Sequence, residues 1–166
     1  MSREIPKVVA RAASTLSRRI PVEARRDIQT EYALTASRIN KGLSARSTGA
    51  TVELVASGAG IGLVEFGARQ SRAGTSVQVR VGNRKTIKNA FIAVGLGGNS
   101  QVFRRVGEKR KMRLGNYTGR IKQPIENQYG PSIAQMLRKA GREDRLADFA
   151  KQILSDEIDR LTNSNG

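Results

Sequence analysis

Two carboxylates and three hydroxyls lie closest to the strand and loop motifs of this 166-residue chain, and they are the residues that could support catalysis. Glu65 and Glu126 could act as a general acid and a general base if they were adjacent. Tyr117, Tyr129 and Ser132 carry hydroxyl groups that a neighbouring base could activate. The chain contains no His and no Cys, so the usual partner base and the usual thiol nucleophile are both missing.

Glu65 has a simpler explanation than acid–base chemistry. It lies close in sequence to Arg69 and Arg72 in a chain rich in cations, so an ion pair within or between subunits accounts for it. We therefore predict that Glu65 and Arg69 form a subunit-interface ion pair, that the chain has no catalytic residue, and that it is not an enzyme. A nuclease or toxin that works without His is the remaining enzymatic alternative.

The glycine-rich segments are interpreted as turns and not as nucleotide sites. The sequence GAGIGL at 58–63 superficially resembles a dinucleotide fingerprint, but it lies between two predicted strands and opens no helix. The segment 95–98 lacks the Gly-Lys-Ser/Thr ending of a phosphate loop. Without His and Cys the chain also lacks nearly every zinc, haem or iron–sulfur ligand set. We predict no cofactor and no metal.

Positive charge is the main functional signal. The chain has 30 Lys and Arg against 14 Asp and Glu, a formal charge of +16. The excess is +6 in residues 1–50, +10 in 51–134 and zero in 135–166. Uncompensated cations in this number favour a nearby polyanion such as nucleic acid, or an acidic partner surface. The candidate contacts to a DNA channel or to a partner are Arg84, Lys85, Arg104, Arg105, Lys109, Arg110, Lys111 and Arg113.

Aromatic residues are too few to stack on single-stranded bases. They make up 4% of the chain, and only Phe103 directly adjoins the basic run. Any nucleic-acid contact is therefore expected to be with phosphates, independent of base sequence and sensitive to salt.

Apolar spacing predicts two amphipathic helices in the N-terminal part. Apolar residues recur at helical intervals from Ile5 to Ile20 and again from Ile28 to Ile39, and Pro21 separates the two series. The second helix is expected to end near Gly42. The pair is either a helical hairpin or one long helix with a kink at the proline.

The apolar period changes from about 3.6 to 2 after Gly49, which predicts a sheet. We expect about five short, mostly antiparallel strands within residues 51–106, at 51–56, 61–66, 76–81, 87–94 and 101–106. Residues 107–128 are basic, polar and without clear period, and are interpreted as a long loop or arm. Pro131 opens a short helix that stops at Gly141, and an amphipathic helix follows.

The predicted fold is therefore α+β: two N-terminal helices packed on a small, mostly antiparallel sheet of about five strands, with C-terminal helices. We expect residues 1–140 to form a single domain with the basic loop or arm at 107–128, and residues 141–166 to form a C-terminal helical extension. Apolar residues make up only 38% of the chain, so the hydrophobic core is expected to be small. Such a chain favours self-association, which covers apolar surface that the monomer cannot bury. The sequence shows no signal peptide and no apolar run of membrane-spanning length, so we expect no membrane contact.

The order of five segments resembles the minor tail protein Z family of tailed bacteriophages and prophages, also described as tail completion proteins. The segments are LVEFGARQ at 63–70, GTSVQV at 74–79, AFIA at 90–93, VFRR at 102–105 and YGPSIAQM at 129–136. The Arg-rich, Ala-containing N-terminal helices leading to Ile39 are similar too, and the resemblance covers about residues 5–137.

This resemblance implies a structural virion protein at the head-proximal end of the tail or in the neck. It implies a homo-oligomeric ring, expected to be a hexamer, that joins head and tail around the DNA channel. The implied partners are further copies of the chain, neighbouring tail terminator, tail tube or neck proteins, and viral DNA passing through the channel. The implied location is the virion, assembled in the cytoplasm of the bacterial host. The alternative is a sequence-independent nucleic-acid-binding protein of the ribosomal or nucleoid type.

Overall fold

The computed structural model describes residues 5–114, 117–139 and 141–163, and its helices and antiparallel strands confirm the predicted α+β class. The chain folds as two compact units. Unit 1 comprises the described residues up to Ala59 and from Pro131 onward, and unit 2 comprises Gly60–Gly130. The expected division into a domain at 1–140 and an extension at 141–166 stays a prediction.

The first element of unit 1 is one continuous helix, α1, at Ile5–Glu31, and Pro21 lies inside it. The predicted break at Pro21 is therefore wrong. The helix continues through the proline, as in the long-helix alternative, but it ends at Glu31, and the second N-terminal helix begins only at Ala36. A proline inside a helix removes one backbone hydrogen bond and crowds the preceding turn. Leu16 and Ile28, on either side of Pro21, are both buried, and this shared apolar face holds the two halves in one helix.

A short helix and a β-hairpin follow α1. Helix α2 occupies Ala36–Asn40, and strands β1 and β2 occupy Leu43–Thr48 and Thr51–Ala56. The strands pair antiparallel along their whole length, and Gly49 has a φ of 58° in the turn between them. Strand β2 begins where the change of period predicted it. Strand β1 was not predicted, because its polar sequence LSARST gives no alternating apolar signal.

The core of unit 1 lies between α1, the β1–β2 hairpin and the C-terminal helices α3 at Ile133–Leu137 and α4 at Arg142–Asn163. Leu16 and Ile20 of α1 pack with Ile153 of α4 in one buried cluster. The partly buried side chains around this cluster are Ala45, Val52, Leu54, Phe149, Ala150 and Leu154. The apolar faces predicted for α1 and α4 are thus the faces that meet.

Unit 2 consists of short strands and one turn of 3-10 helix at Leu63–Phe66. The strands are β3 at Ile61–Gly62, β4 at Arg69–Ser71, β5 at Gly74–Arg80, β6 at Asn83–Ile87, β7 at Ala90–Val94, β8 at Ser100–Arg105, β9 at Arg110–Leu114, β10 at Tyr117–Lys122, β11 at Ile125–Asn127 and β12 at Tyr129–Gly130. They form two three-stranded sheets, ordered β4-β5-β6 and β11-β8-β7, and two two-stranded sheets, β10-β9 and β12-β3. All of these pairings are antiparallel.

Gln70 connects the two three-stranded sheets. Its side-chain oxygen accepts hydrogen bonds from the backbone N–H of Ile92 on β7 at 2.9 Å and from the Thr75 hydroxyl on β5 at 3.2 Å. Thr75 is completely buried, so this hydrogen bond satisfies a hydroxyl that would otherwise be costly inside the unit. It also supplies a partner to a backbone group at the edge of β7.

The apolar run 61–66 was predicted as a strand and is instead a two-residue strand followed by the 3-10 helix. In a 3-10 helix residues three apart share a side, and Leu63 and Phe66 are accordingly both buried. Gly67, in the left-handed region with a φ of 64°, ends the helix. A short apolar run does not by itself distinguish these two conformations.

The segment 107–128 was predicted as a loop or arm and instead contains β9, β10 and β11. Strands β9 and β10 pair with each other, and β11 pairs with β8, with Ile125 opposite Arg105 and Asn127 opposite Phe103. Backbone hydrogen bonding between strands does not require an apolar face. The side chains on these strands are mostly polar, so the sequence does not show the alternation of apolar and polar residues from which strands are predicted.

Candidate functional site

The excess of positive charge lies mainly in unit 2. This unit carries 14 Lys and Arg against three Asp and Glu, whereas the sequence of unit 1 carries 16 against 11. The part of the chain built from short sheets is therefore the part with a strong field for anions.

The predicted cations occupy three strands of unit 2 and the turn before β9. Arg104 and Arg105 end β8, Lys109 precedes β9, and Arg110 and Lys111 begin β9; all five are exposed. Arg84 and Lys85 lie on β6 and are also exposed. The side chain of Arg113 lies outside the described part of the structure.

Arg84 has a structural role within unit 2. Its Nη1 donates to the carbonyl oxygen of Gly67 at 3.0 Å, to that of Ser76 at 3.3 Å and to the Ser76 hydroxyl at 3.3 Å. These contacts fasten β6 to β5 and to the turn after the 3-10 helix. Nη1 of Arg84 is thus engaged by the fold, whereas among the described residues none forms a hydrogen bond or ion pair with the Lys85 side chain.

Arg105 and two aromatic rings form a stack on the β7–β8 pair. The Arg105 guanidinium lies 4.6 Å from the centre of the Phe91 ring, and the Phe91 and Phe103 ring centres are 5.9 Å apart. Phe103 is therefore engaged within the sheet and is not free to stack on a base. This arrangement agrees with contacts through charge instead of through aromatic stacking.

Unit 2 also carries the exposed large hydrophobic side chains of the described residues. They are Val81, Val94, Leu96, Ile121, Ile125 and Tyr129, each at least half exposed. Single exposed apolar residues are common on any protein. Their restriction to the unit that also holds the charge excess makes unit 2 the candidate interaction surface.

The carboxylates considered for catalysis lie among cations. Glu126 on β11 stands directly opposite Arg104 on β8 in the strand register, a placement that favours an electrostatic role. Glu65 lies in the 3-10 helix and Arg69 begins β4, and both are exposed. Their pairing across a subunit interface stays a prediction.

The hydroxyl groups considered for catalysis, where the structure describes them, form hydrogen bonds with structural roles. Ser132 is buried and caps α3, since its Oγ accepts from the backbone N–H of Gln135 at 3.1 Å while the Gln135 side chain accepts from the Ser132 N–H at 2.9 Å. The Tyr129 hydroxyl accepts from the Asn127 side chain at 3.2 Å. The Tyr117 side chain is not in the described part. Among the described residues, there is no cluster of three or more Asp, Glu, His or Cys side chains that could bind a metal ion.

Sequence reasoning missed a buried cationic centre in unit 1. Arg142, at the start of α4, is 3% exposed, and its Nε lies 3.1 Å from Oδ2 of Asp27. Its Nη2 donates to Oε2 of Glu31 at 3.3 Å, and its Nη1 donates to the carbonyl oxygen of Met136. No local pattern marks this site, because its two carboxylates come from α1, more than a hundred residues earlier.

A second ion pair lies within α4 near its other end, and a hydrogen bond from Thr15 connects it to α1. Arg160 donates to both carboxylate oxygens of Glu157, at 2.7 and 3.1 Å, and the Thr15 hydroxyl donates to the same carboxylate at 3.2 Å. The hydrogen bonds from Arg160 lower the pKa of Glu157 below its ordinary value, and the same contact raises the pKa of Arg160.

The family comparison covers almost the whole chain. The sequence model of the family described as prophage minor tail protein Z (GPZ) matches residues 1–164. The chain belongs to the prophage minor tail protein Z family. Comparison with curated proteins and with solved structures gave no match.

Membership of the minor tail protein Z family gives the chain a structural role in a phage tail and associates it with the virion. It extends the resemblance read from residues 5–137 over the helix α4 as well. A structural family also favours a role other than catalysis. Among the described helices, none combines the length and the apolar character needed to cross a membrane.

Proposed function

We propose that this minor tail protein is a ring subunit at the head-proximal end of the tail, where it joins head and tail around the DNA channel. The observation that carries the proposal is the concentration of exposed cations and exposed apolar side chains on unit 2 of a tail protein. A ring subunit needs apolar surface for its neighbours, and a channel that passes DNA needs a surface that tolerates phosphate.

The cations of unit 2 are the proposed contacts to DNA or to an adjoining ring. Lys85, Arg104 and Lys109 are exposed, and the strands that carry or flank them hold their backbones in fixed positions. Their contacts would be with phosphates and would not select a base sequence, which suits a passage that all viral DNA must cross. The Glu65–Arg69 pair is proposed to lie at the contact between neighbouring subunits.

The partners proposed for this ring are further copies of the chain, expected as a hexamer, and the tail terminator, tail tube or neck proteins next to it. Assembly would take place in the cytoplasm of the bacterial host. Native mass spectrometry of the purified protein measures the subunit number directly. A closed hexamer is expected, and a stable monomer at all concentrations would overturn the ring.

A phage that lacks this gene provides the test of function. We expect such a phage to produce filled heads and tails of normal length that fail to join, visible by electron microscopy of lysates. Supplying the wild-type protein in the host should restore joined particles and infectivity. Joined particles that deliver DNA normally without the protein would overturn the proposal.

The second candidate is a free nucleic-acid-binding protein, favoured by the 14 basic against three acidic residues of unit 2. Binding of the purified monomer to duplex DNA, measured against salt concentration, separates the two functions. Tight binding by a monomer with a steep salt dependence favours this candidate. A stable ring with weak affinity for free DNA favours the tail ring.

A further inference from the structure

Two surfaces of the chain carry unfavourable charge arrangements of opposite sign. We propose that the acidic face of α4, at Asp156 and Asp159, docks on the cations of the β9–β10 hairpin, at Arg110 and Lys122, in a second copy of the chain. The inference rests on the proposed ring and names the surfaces that would build it.

The β9–β10 hairpin places like charges directly opposite each other. Arg110 pairs in register with Lys122, and Lys111 pairs with Ile121; all four side chains are exposed. Side chains directly opposite on antiparallel strands lie on the same face, where like charges repel and destabilise the pairing. Among the described residues, none forms a hydrogen bond or ion pair with the Arg110 or Lys122 side chain. An acidic partner at this face would remove the repulsion.

Helix α4 has the opposite problem near its C-terminal end. Asp156 and Asp159 are both exposed in this part of α4, which ends at Asn163. Residues three positions apart are neighbours on the surface of a helix, so the two carboxylates repel each other. The described structure holds no ion pair to either carboxylate, whereas Glu157 between them is paired with Arg160. A cationic partner would stabilise this part of the helix.

A second copy of the chain satisfies both surfaces in one contact. Nucleic acid would relieve the hairpin but would repel α4. A contact between two different surfaces of identical chains repeats from copy to copy, and it closes into a ring when the rotation between copies allows.

Charge exchange tests this contact. One variant carries Arg110→Glu and Lys122→Glu, and the other carries Asp156→Lys and Asp159→Lys. Each alone is expected to weaken self-association by at least about 100-fold, measured by sedimentation velocity at about 0.15 M salt, because each places like charges face to face. The four substitutions together, or an equal mixture of the two variants, should restore assembly.

A control variant with Lys41→Glu and Lys88→Glu makes the same change of net charge at exposed positions in turns outside the hairpin and α4. It is expected to assemble like the wild-type protein. Circular dichroism and thermal unfolding verify that each variant is folded. Since the chain has no Cys, a disulfide between Lys122→Cys in one copy and Asp156→Cys in another would report their contact directly.

The outcomes separate this contact from the ring itself. If the wild-type protein assembles and both charge variants assemble equally well, the proposed contact is wrong, although the ring itself is not contradicted. A failure of the four-substitution variant to recover, with its fold intact, also overturns the contact. Loss of duplex DNA binding by the hairpin variant with unchanged assembly would assign the hairpin to DNA instead. A wild-type monomer at all concentrations would overturn both the contact and the ring.

Discussion

The guanidinium of Arg142 contacts the carboxylate of Asp27 at 3.1 Å, although 115 positions separate the two residues in the chain. Arg142 is nearly inaccessible to solvent, and Asp27 also pairs with Arg145 at 2.8 Å. The contact holds the start of α4 against α1 inside unit 1. It makes α4 an integral part of the unit that contains the first helix.

Replacing Arg142 with Met is expected to destabilise the protein by about 2 kcal/mol, because Asp27 and Glu31 lose their buried cation and keep the more exposed Arg145 and Lys139, and the Met136 carbonyl oxygen loses its hydrogen bond. Urea unfolding followed by circular dichroism measures the change. The matched control is Arg145→Met, whose side chain is 58% exposed; it is expected to cost less than about 1 kcal/mol. Equal losses in the two variants would contradict the assigned role of Arg142.

Replacing Gly74 with Ala is expected to destabilise unit 2 by more than about 2 kcal/mol. Gly74 has a φ of 133°, and an added Cβ would collide with the carbonyl oxygen of Ile87 on the neighbouring strand. Gly97→Ala is the control, since it has open space around it. The two variants are compared by thermal unfolding. If Gly74→Ala is as stable as Gly97→Ala, the close approach of Gly74 to Ile87 is contradicted.

Replacing Ser132 with Ala is expected to cost about 1 kcal/mol of stability, because α3 loses the side-chain acceptor for the Gln135 N–H. Ser132→Asn should retain part of that cap, although the larger side chain must fit a buried site. The exposed Ser44→Ala on β1 serves as the surface control. Unfolding in urea measures all three, and the prediction fails if Ser132→Ala matches Ser44→Ala.

Glu157 is expected to make the folded protein less stable as the pH falls into the acid range. Its pKa is lowered in the folded chain by the hydrogen bonds from Arg160, so the folded state favours the ionised form. The stabilising contribution is complete above the unfolded-state pKa of about 4.5 and is lost as the pH falls through the lower folded-state pKa. The wild-type protein should therefore lose more stability than Glu157→Gln between about pH 5 and pH 3, as urea midpoints would show. Parallel pH profiles would contradict it.

The proposed phosphate contacts predict a change in the salt dependence of DNA binding. Replacing Arg104 and Lys109 with Gln removes two cations, which should lower the slope of log affinity against log salt by about 2. Fluorescence anisotropy with two duplexes of unrelated sequence measures the slope, and both duplexes should weaken equally. An unchanged slope would remove these two residues from the DNA surface.

The long elements could be predicted from the sequence because burial imposes a period on them. Leu16 and Ile28 mark the buried face of α1, and Ile153 marks that of α4. The continuity of α1 through Pro21 could not be predicted, since it depends on packing on both sides of the proline. The β9–β10 hairpin was missed for the opposite reason, because its polar strands produce no apolar period.

The charged surface could be located from the sequence, but its contacts could not. Counting Lys and Arg placed the excess in the middle of the chain, and the structure puts most of it on unit 2. The role of Arg84 in binding Gly67 and Ser76 required the fold, since those residues are 17 and eight positions away. The Arg142 centre likewise depends on distant carboxylates that no local pattern reveals.

The division of the chain into two units has a consequence for synthesis. Unit 2 is one uninterrupted stretch, Gly60–Gly130, and can become compact as soon as it leaves the ribosome. Unit 1 takes residues from both sides of that stretch, so the face of α1 that meets Ile153 has no partner until α4 has been made. Closing that long loop is a slow, non-local step. Helix α1 is therefore translated before unit 2 and α4 but is among the last elements to be covered, which leaves its apolar face open to chaperones or to premature association in the meantime.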